Sequence, residues 1–96
     1  MGIPEILLTK RADILAISAR HGVRTIKVFG SVARGDATDQ SDVDFLVEAG
    51  PQVSPWFPGG LVSDLETLLD RRVDVVTDKG LHPYLREKVL KEAVAL

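Results

Sequence analysis

Two aspartates separated by a single residue constrain this chain more than any other feature of its sequence. Asp42 and Asp44 begin the run SDVDFLVE, in which Val43, Phe45 and Val47 alternate with them. This period of two indicates a half-buried strand, so both carboxylates point to one face. They would lie roughly 7 Å apart and repel by roughly 2 kcal/mol at an effective dielectric of about 20. A divalent cation between them reverses the sign of that cost, so the pair indicates a metal site.

A glycine-serine turn precedes the aspartates. The apolar run 26–29 ends at Gly30, and Ser31 to Arg34 can form a short helical turn. Backbone N–H groups at a helix start are unpaired, and glycine allows a phosphate to approach the main chain closely. The hydroxyl of Ser31 and the forked guanidinium of Arg34 both suit phosphate oxygens. The turn therefore predicts a phosphate site beside the predicted metal site.

A third candidate ligand lies in a later strand. The run RRVDVVT puts Val73 and Val75 on one face and Asp74 on the other. An unpaired carboxylate in an otherwise apolar strand is poorly explained by packing, because its burial is costly. Asp74 is therefore either a third metal ligand or the partner of Arg71 or Arg72 in an ion pair.

Together these motifs resemble the polymerase-beta-like nucleotidyltransferase superfamily, in particular its minimal nucleotidyltransferase branch. The resemblance covers most of the chain and rests on four segments: Gly30-Ser31, Ala33-Arg34-Gly35-Asp36, Ser41-Asp42-Val43-Asp44 and Arg72-Val73-Asp74-Val75-Val76.

The resemblance assigns roles to these residues. It implies that Gly30 and Ser31 hold a nucleoside triphosphate, ATP, with Arg34 supporting its charge or the turn. It implies that a carboxylate triad, Asp42, Asp44 and Asp74, holds two Mg²⁺ ions, for which Mn²⁺ is a chemical substitute. The neighbouring loop residues Asp36 and Asp39 are expected only to be solvated.

The implied reaction is the transfer of AMP from ATP to a hydroxyl, with release of pyrophosphate. Members of this branch are similar in being encoded with HEPN-type partner proteins, and some are antitoxins that add AMP to a tyrosine of a toxin ribonuclease. We therefore expect an antitoxin that adenylylates a HEPN-type toxin. Two alternatives stay open: nucleotidyl transfer to a small hydroxyl compound such as an antibiotic, and a non-catalytic antitoxin that acts by binding alone.

Length and composition restrict these choices further. Ninety-six residues, 45% of them hydrophobic and 27% charged, predict one globular domain spanning 1–96. Twelve basic against fourteen acidic residues argue against an extended nucleic-acid footprint. No apolar run is long enough to span a bilayer, so no membrane contact is expected. The absence of cysteine excludes thiolate metal sites and suits a reducing compartment, so we expect a cytoplasmic protein.

The patterns predict an α/β (α+β) fold, a small mixed sheet backed by helices, and the resemblance implies the nucleotidyltransferase palm. The predicted elements are a helix over 4–20, strands over 25–29 and from 42, a helix over 61–70, a strand over 72–77 and a last helix from 83. Helices should cover the valine face of the sheet and leave the aspartate face open. So small a palm has a shallow site, so the acceptor or a second subunit, as in a homo-oligomer, must supply its walls.

Three packing expectations complete the prediction. The first helix should bury mainly Leu8, Ala12, Leu15, Ala16 and Ala19, with Ile14 and Ile17 widening that face, and the last should align Leu85, Val89, Ala93 and Leu96. His21 and Gly22 should stop the first helix. In the loop 49–60, Trp56 and Phe57 should fold over the sheet edge or core, with a partner-facing or nucleotide-facing patch as the alternative.

Overall fold

A four-stranded mixed sheet organises residues 5–38 and 40–96, the part of the chain that this computed structural model describes. The elements are α1 (Glu5–Thr9), α2 (Arg11–Arg20), β1 (Val23–Phe29), α3 (Gly30–Arg34), β2 (Val43–Ala49), α4 (Gly59–Leu69), β3 (Val73–Thr77), α5 (Pro83–Glu92) and β4 (Val94–Ala95). None of these helices is long and apolar enough to cross a bilayer.

The strands lie in the order β3-β2-β1-β4. β1 is antiparallel to both β2 and β4, whereas β2 and β3 are parallel. Parallel neighbours need a crossover connection, and α4 supplies it. Because β1 ends where β2 and β3 begin, one end of the sheet gathers the segments that carry the candidate site residues. The predicted mixed sheet backed by helices is confirmed.

The core lies on one face of the sheet. The predicted strand residues Val43, Phe45, Val47, Val73 and Val75 are all buried. They share one core with residues of the three helices α1, α2 and α4, namely Leu7, Ile14, Ile17, Leu61, Leu65 and Leu69. The helix over 61–70 is confirmed as α4, because its leucines recur on the stripe that faces the sheet.

The N-terminal helix differs from its prediction. Pro4 lies outside the described residues, and the remainder divides at Lys10, whose Nζ donates to the carbonyl of Leu68 at 2.9 Å. Because the helix is broken at this residue, the apolar spacing counted along one continuous helix does not apply to α1 and α2. The residues expected to be the main buried face, Leu8, Ala12, Leu15, Ala16 and Ala19, are exposed, whereas Leu7, Ile14 and Ile17 are buried. The two isoleucines of α2 bury more apolar area than its alanines would.

The C-terminal helix also differs. α5 has no buried residue, and the predicted Leu85–Val89–Ala93–Leu96 stripe does not pack as one face. Ala93 is extended rather than helical, which starts β4 along β1 and leaves Leu96 packed against the core. Leu90 of α5 lines a cleft with Leu46, a buried residue on the same face as Asp44. Leu90 therefore lies over part of the aspartate face, whereas Thr25, Glu48, Asp42 and Asp74 on that face are exposed.

The two aromatic residues of the loop 49–60 differ in their exposure to solvent. Trp56 is 89% exposed, so its expected packing in the core is wrong, whereas Phe57 packs against the core. Trp56 also has a positive φ of 64°, which is uncommon for a bulky residue. The helix stop is confirmed, because α2 ends before His21 and Gly22 has a φ of 84°.

Candidate active site

Three carboxylates meet at the open end of the sheet. In the parallel pairing of β2 and β3, Asp44 lies directly beside Asp74, and neighbouring strands are about 4.8 Å apart. Asp42 precedes β2 by one residue and shares the face of Asp44. Asp44 is half-buried, whereas Asp42 and Asp74 are exposed. The structure thus brings the predicted triad together on one accessible face.

Local hydrogen bonds hold the starts of β2 and β3 in place. The hydroxyl of Ser41 accepts from the N–H of Thr38 at 2.8 Å, which shapes the loop that leads into Asp42. The N–H of Val43 donates to the carbonyl of Arg72 at 3.0 Å, so the two strands are joined at the residue between Asp42 and Asp44. At the start of β3, a carboxylate oxygen of Glu66 accepts from the N–H of Val73 at 3.1 Å. These contacts fix the backbone that positions the triad.

The glycine-serine turn lies against the triad. Phe29, the last residue of β1, pairs with Asp44, so Gly30 follows directly beside that carboxylate. A Cβ atom on Gly30 would lie 2.3 Å from Oδ2 of Asp44, and the φ of Gly30 is +75°. The left-handed backbone favours glycine here, and a side chain at this position would also displace the carboxylate of Asp44. Ser31 then begins the first turn of α3, half-buried.

The surroundings of Asp44 raise its pKa. Partial burial raises the pKa of its carboxyl, and the negative charges of Asp74 and Asp42 raise that pKa further. The guanidinium of Arg34 acts in the opposite direction. A carboxylate that is costly to ionise beside two others is stabilised when a cation joins them. Perturbed acids of this kind are common at functional sites.

Arg34 is engaged by two carboxylates. Its Nε donates to Asp36 at 3.3 Å and its Nη1 donates to Glu92 of α5, and these bonds raise the pKa of the guanidinium. Asp36 is therefore more than a solvated loop residue, whereas Asp39 lies outside the described residues. The contact of Arg34 with a phosphate stays a prediction.

Glu92 is the site residue that sequence reasoning missed. Its side chain is 17% exposed, lies against Arg34, and its charge contributes to the raised pKa of Asp44. No local signal identifies it, because it is one charged residue among several on a surface helix. Only the return of α5 to the aspartate end brings it there.

The triad suits a hard divalent cation by its chemistry and its backbone spacing. Asp74 forms no ion pair with any described residue, so the alternative of a bridge to Arg72 is not what the structure contains. As placed, no three acidic, histidine or cysteine side chains within 5–38 and 40–96 form a metal-binding group. The carboxylates would have to turn toward a common point, which their exposure at Asp42 and Asp74 permits.

Comparison with known proteins decides the family. Residues 14–96 match the nucleotidyltransferase domain family. The chain belongs to that family. Nucleotidyl transfer, which the motifs predict, is thereby confirmed as its enzyme class.

Two relatives of nearly the same length as this chain are named as protein adenylyltransferases. A Methanocaldococcus jannaschii protein assigned as a protein adenylyltransferase is 39% identical over 94 residues, which are 98% of this chain and 97% of the relative. The protein adenylyltransferase MntA of Thermococcus cleftensis is 44% identical over 77 residues, which are 78% of this chain and 76% of that protein.

Solved structures agree in fold. One assigned as a minimal nucleotidyltransferase is 45% identical and superposes with a TM-score of 0.86, covering 100% of this chain and 97% of that chain. A mutant of the toxin-antitoxin pair MntA-HpeT is 25% identical with a TM-score of 0.73, covering 90% of this chain and 70% of that chain. The predicted resemblance to the minimal nucleotidyltransferase branch is confirmed.

Proposed function

We propose that this chain is a metal-dependent protein adenylyltransferase that moves AMP from ATP to a hydroxyl of a partner protein, a HEPN-type toxin of a toxin-antitoxin pair. The observation that carries the proposal is the in-register pairing of Asp44 with Asp74 beside the Gly30 turn. It is supported by relatives named as protein adenylyltransferases and by a structural neighbour from a toxin-antitoxin pair. Residues 1–96 act as a single domain.

The triad holds the metals in this proposal. Asp42, Asp44 and Asp74 would hold one Mg²⁺ or Mn²⁺ ion, and Asp42 and Asp44 would hold a second. When bound, such ions lower the pKa of an attacking hydroxyl and stabilise a leaving pyrophosphate. Oxygen-only ligands on an exposed face suit magnesium, which keeps several of its waters.

The remaining steps are performed by the chain's own residues. Ser31 and the Gly30 backbone position the outer phosphates, which can approach because Gly30 has no side chain. The acceptor oxygen then bonds to the α-phosphorus, the bond to the β-phosphate oxygen breaks, and pyrophosphate leaves. In this proposal Asp74, which is exposed on the edge strand, takes the hydroxyl proton.

The openness of the site supports a macromolecular acceptor. Asp42 and Asp74 are exposed, and no described residue of α5 is buried against the sheet. Water must be kept from the reaction, and a partner protein that seats on this end supplies the missing walls. A small compound such as an antibiotic has too little surface to do so in a palm of this size.

The test is an intact-mass measurement. The protein is incubated with ATP, magnesium and the HEPN-type protein encoded next to it, and the partner is expected to gain the mass of one or more AMP groups only when the metal is present. Addition of EDTA is the control. A partner that stays unmodified but is still neutralised would favour the non-catalytic antitoxin, and a modified small hydroxyl compound would favour the other alternative.

A further inference from the structure

Arg72 stands at the edge of the candidate site without a role in the proposed chemistry. It precedes β3 and, by strand alternation, shares the face of Asp74. The pairing of Val43 with Val73 places Arg72 beside Asp42, and the carbonyl of Arg72 accepts from the N–H of Val43. The backbone pairing therefore puts Arg72 next to the carboxylate triad on the edge strand.

The side chain of Arg72 is exposed and forms no hydrogen bond or ion pair with a residue of the described ranges. In this it differs from Arg34, which two carboxylates engage. Arg72 also borders a polar cleft of about 380 Å³, which is lined by Gln40, Ser41, Asp70, Arg71 and Arg72. A forked cation beside an open polar cleft is suited to receive a carboxylate or a phosphate.

The order of the strands indicates whether Arg72 would bind a carboxylate or a phosphate. β2 lies between β1 and β3, so Arg72 is two strand spacings, roughly 10 Å, from the Gly30-Ser31 turn. The outer phosphates of the nucleotide belong at that turn in the proposed function. Asp74, which is placed to take the acceptor proton, is two residues from Arg72 on the same strand. Arg72 therefore lies on the acceptor side of the triad.

We propose that Arg72 binds the acceptor protein through a forked ion pair with a carboxylate close to the acceptor hydroxyl. The inference rests on the proposed function and adds the substrate feature that the site recognises. The partner meets a surface that carries several carboxylates, and on that surface the guanidinium of Arg72 favours an acceptor with an acidic group. This ion pair would therefore contribute to acceptor specificity. A hydroxyl without an acidic neighbour is a poor acceptor.

Steady-state kinetics test the proposal with Arg72→Gln, Arg72→Lys and the control Arg20→Gln. Arg20 is also exposed and ends α2, at the opposite end of the sheet from the triad. Arg72→Gln is expected to raise the KM for the partner protein about tenfold or more, equivalent to ~1.4 kcal/mol, and to leave the KM for ATP unchanged. Arg72→Lys should recover only part of the loss, because an ammonium lacks the fork. Arg20→Gln should behave as wild type.

A charge exchange identifies the contact. Arg72→Glu should be rescued by a partner in which the acidic residue nearest the acceptor hydroxyl is replaced by arginine. A rise in the KM for ATP equal to that for the partner would place Arg72 on the nucleotide instead, and an unchanged KM for the partner would overturn the proposal.

Calorimetry separates this proposal from the proposed function. Partner binding is measured for the protein with magnesium and a non-hydrolysable ATP analogue, with and without Arg72→Gln. If the wild type binds the partner here but does not modify it when ATP is supplied, AMP transfer is not its function. Weaker partner binding by Arg72→Gln would still support the ion pair of Arg72 with the partner. Equal binding by both proteins would overturn it.

Discussion

Ionised Asp44 carries an electrostatic cost in the folded state. Its pKa is raised by burial and by Asp74 and Asp42, so the folded protein holds this proton more tightly than the unfolded chain. The folded state is favoured while Asp44 is protonated. This contribution to stability is lost as the pH rises from the pKa of Asp44 in the unfolded chain through its raised pKa in the folded protein. At neutral pH, Asp44 therefore opposes folding until a cation binds.

Asp44→Asn is expected to increase stability at pH 7 and to abolish metal-nucleotide binding. Removing one charge of a pair about 5–7 Å apart is worth on the order of 1 kcal/mol at this half-exposed site, or about 4–8 °C in Tm. Denaturant unfolding at several pH values measures it, and the gain should shrink as the pH falls toward 4. A variant less stable than wild type at pH 7 would show that Asp44 is a structural residue.

Trp56 and Phe57 illustrate what residue type alone cannot decide. Both are large aromatics in a loop rich in proline and glycine, and burial is the common outcome for each. In the structure Phe57 is partly buried against the core, whereas Trp56, which has a positive φ, is exposed. Asp42, Asp44, Asp74, Gly30 and Ser31 were predictable, because each is recognised by its neighbours within a few residues. Their roles in metal and nucleotide binding stay predictions.

At the scale of elements, predictability followed the strength of the local pattern. β2, β3 and α4 were predicted to within about two residues, because alternation and leucine spacing record the face that each buries. The division of α1 from α2 and the formation of β4 depend on contacts distant in sequence, such as Lys10 with Leu68. The position of α5 also depends on contacts distant in sequence. None of its residues is buried, so no local apolar pattern indicates where it packs.

The contact between α3 and α5 yields a prediction at this scale. Glu92→Gln removes the ion pair with Arg34 and should loosen the attachment of α5, by a small amount because Arg34 is exposed to solvent. Hydrogen exchange should accelerate in the amides of α5 and not in those of β2. Glu87→Gln is the matched control, since Glu87 is exposed and pairs only with Lys91 in the same helix at 3.9 Å. Equal exchange in both variants would mean that Glu92 does not anchor α5.

At the scale of the whole molecule, the site follows from topology. The end of β1 and the starts of β2 and β3 meet at one end of the sheet, which joins residues about 44 positions apart, Gly30 and Asp74, through Asp44. The sequence predicted which residues take part, but the register that places Asp74 beside Asp44 is a property of strand pairing. The same topology leaves the site shallow, and the partner protein is proposed to complete it.

The rate of AMP transfer by Asp74→Asn tests the central claim most directly. If Asp74 serves the acceptor side, the variant should bind Mg²⁺-ATP with nearly wild-type affinity, because Asp42, Asp44 and the Gly30 turn still hold the nucleotide. Transfer to the partner, followed by intact mass, should fall by at least about a hundredfold, or roughly 3 kcal/mol of barrier. Asp42→Asn, as the control, should lose both binding and transfer. Transfer at the wild-type rate by Asp74→Asn would contradict the account.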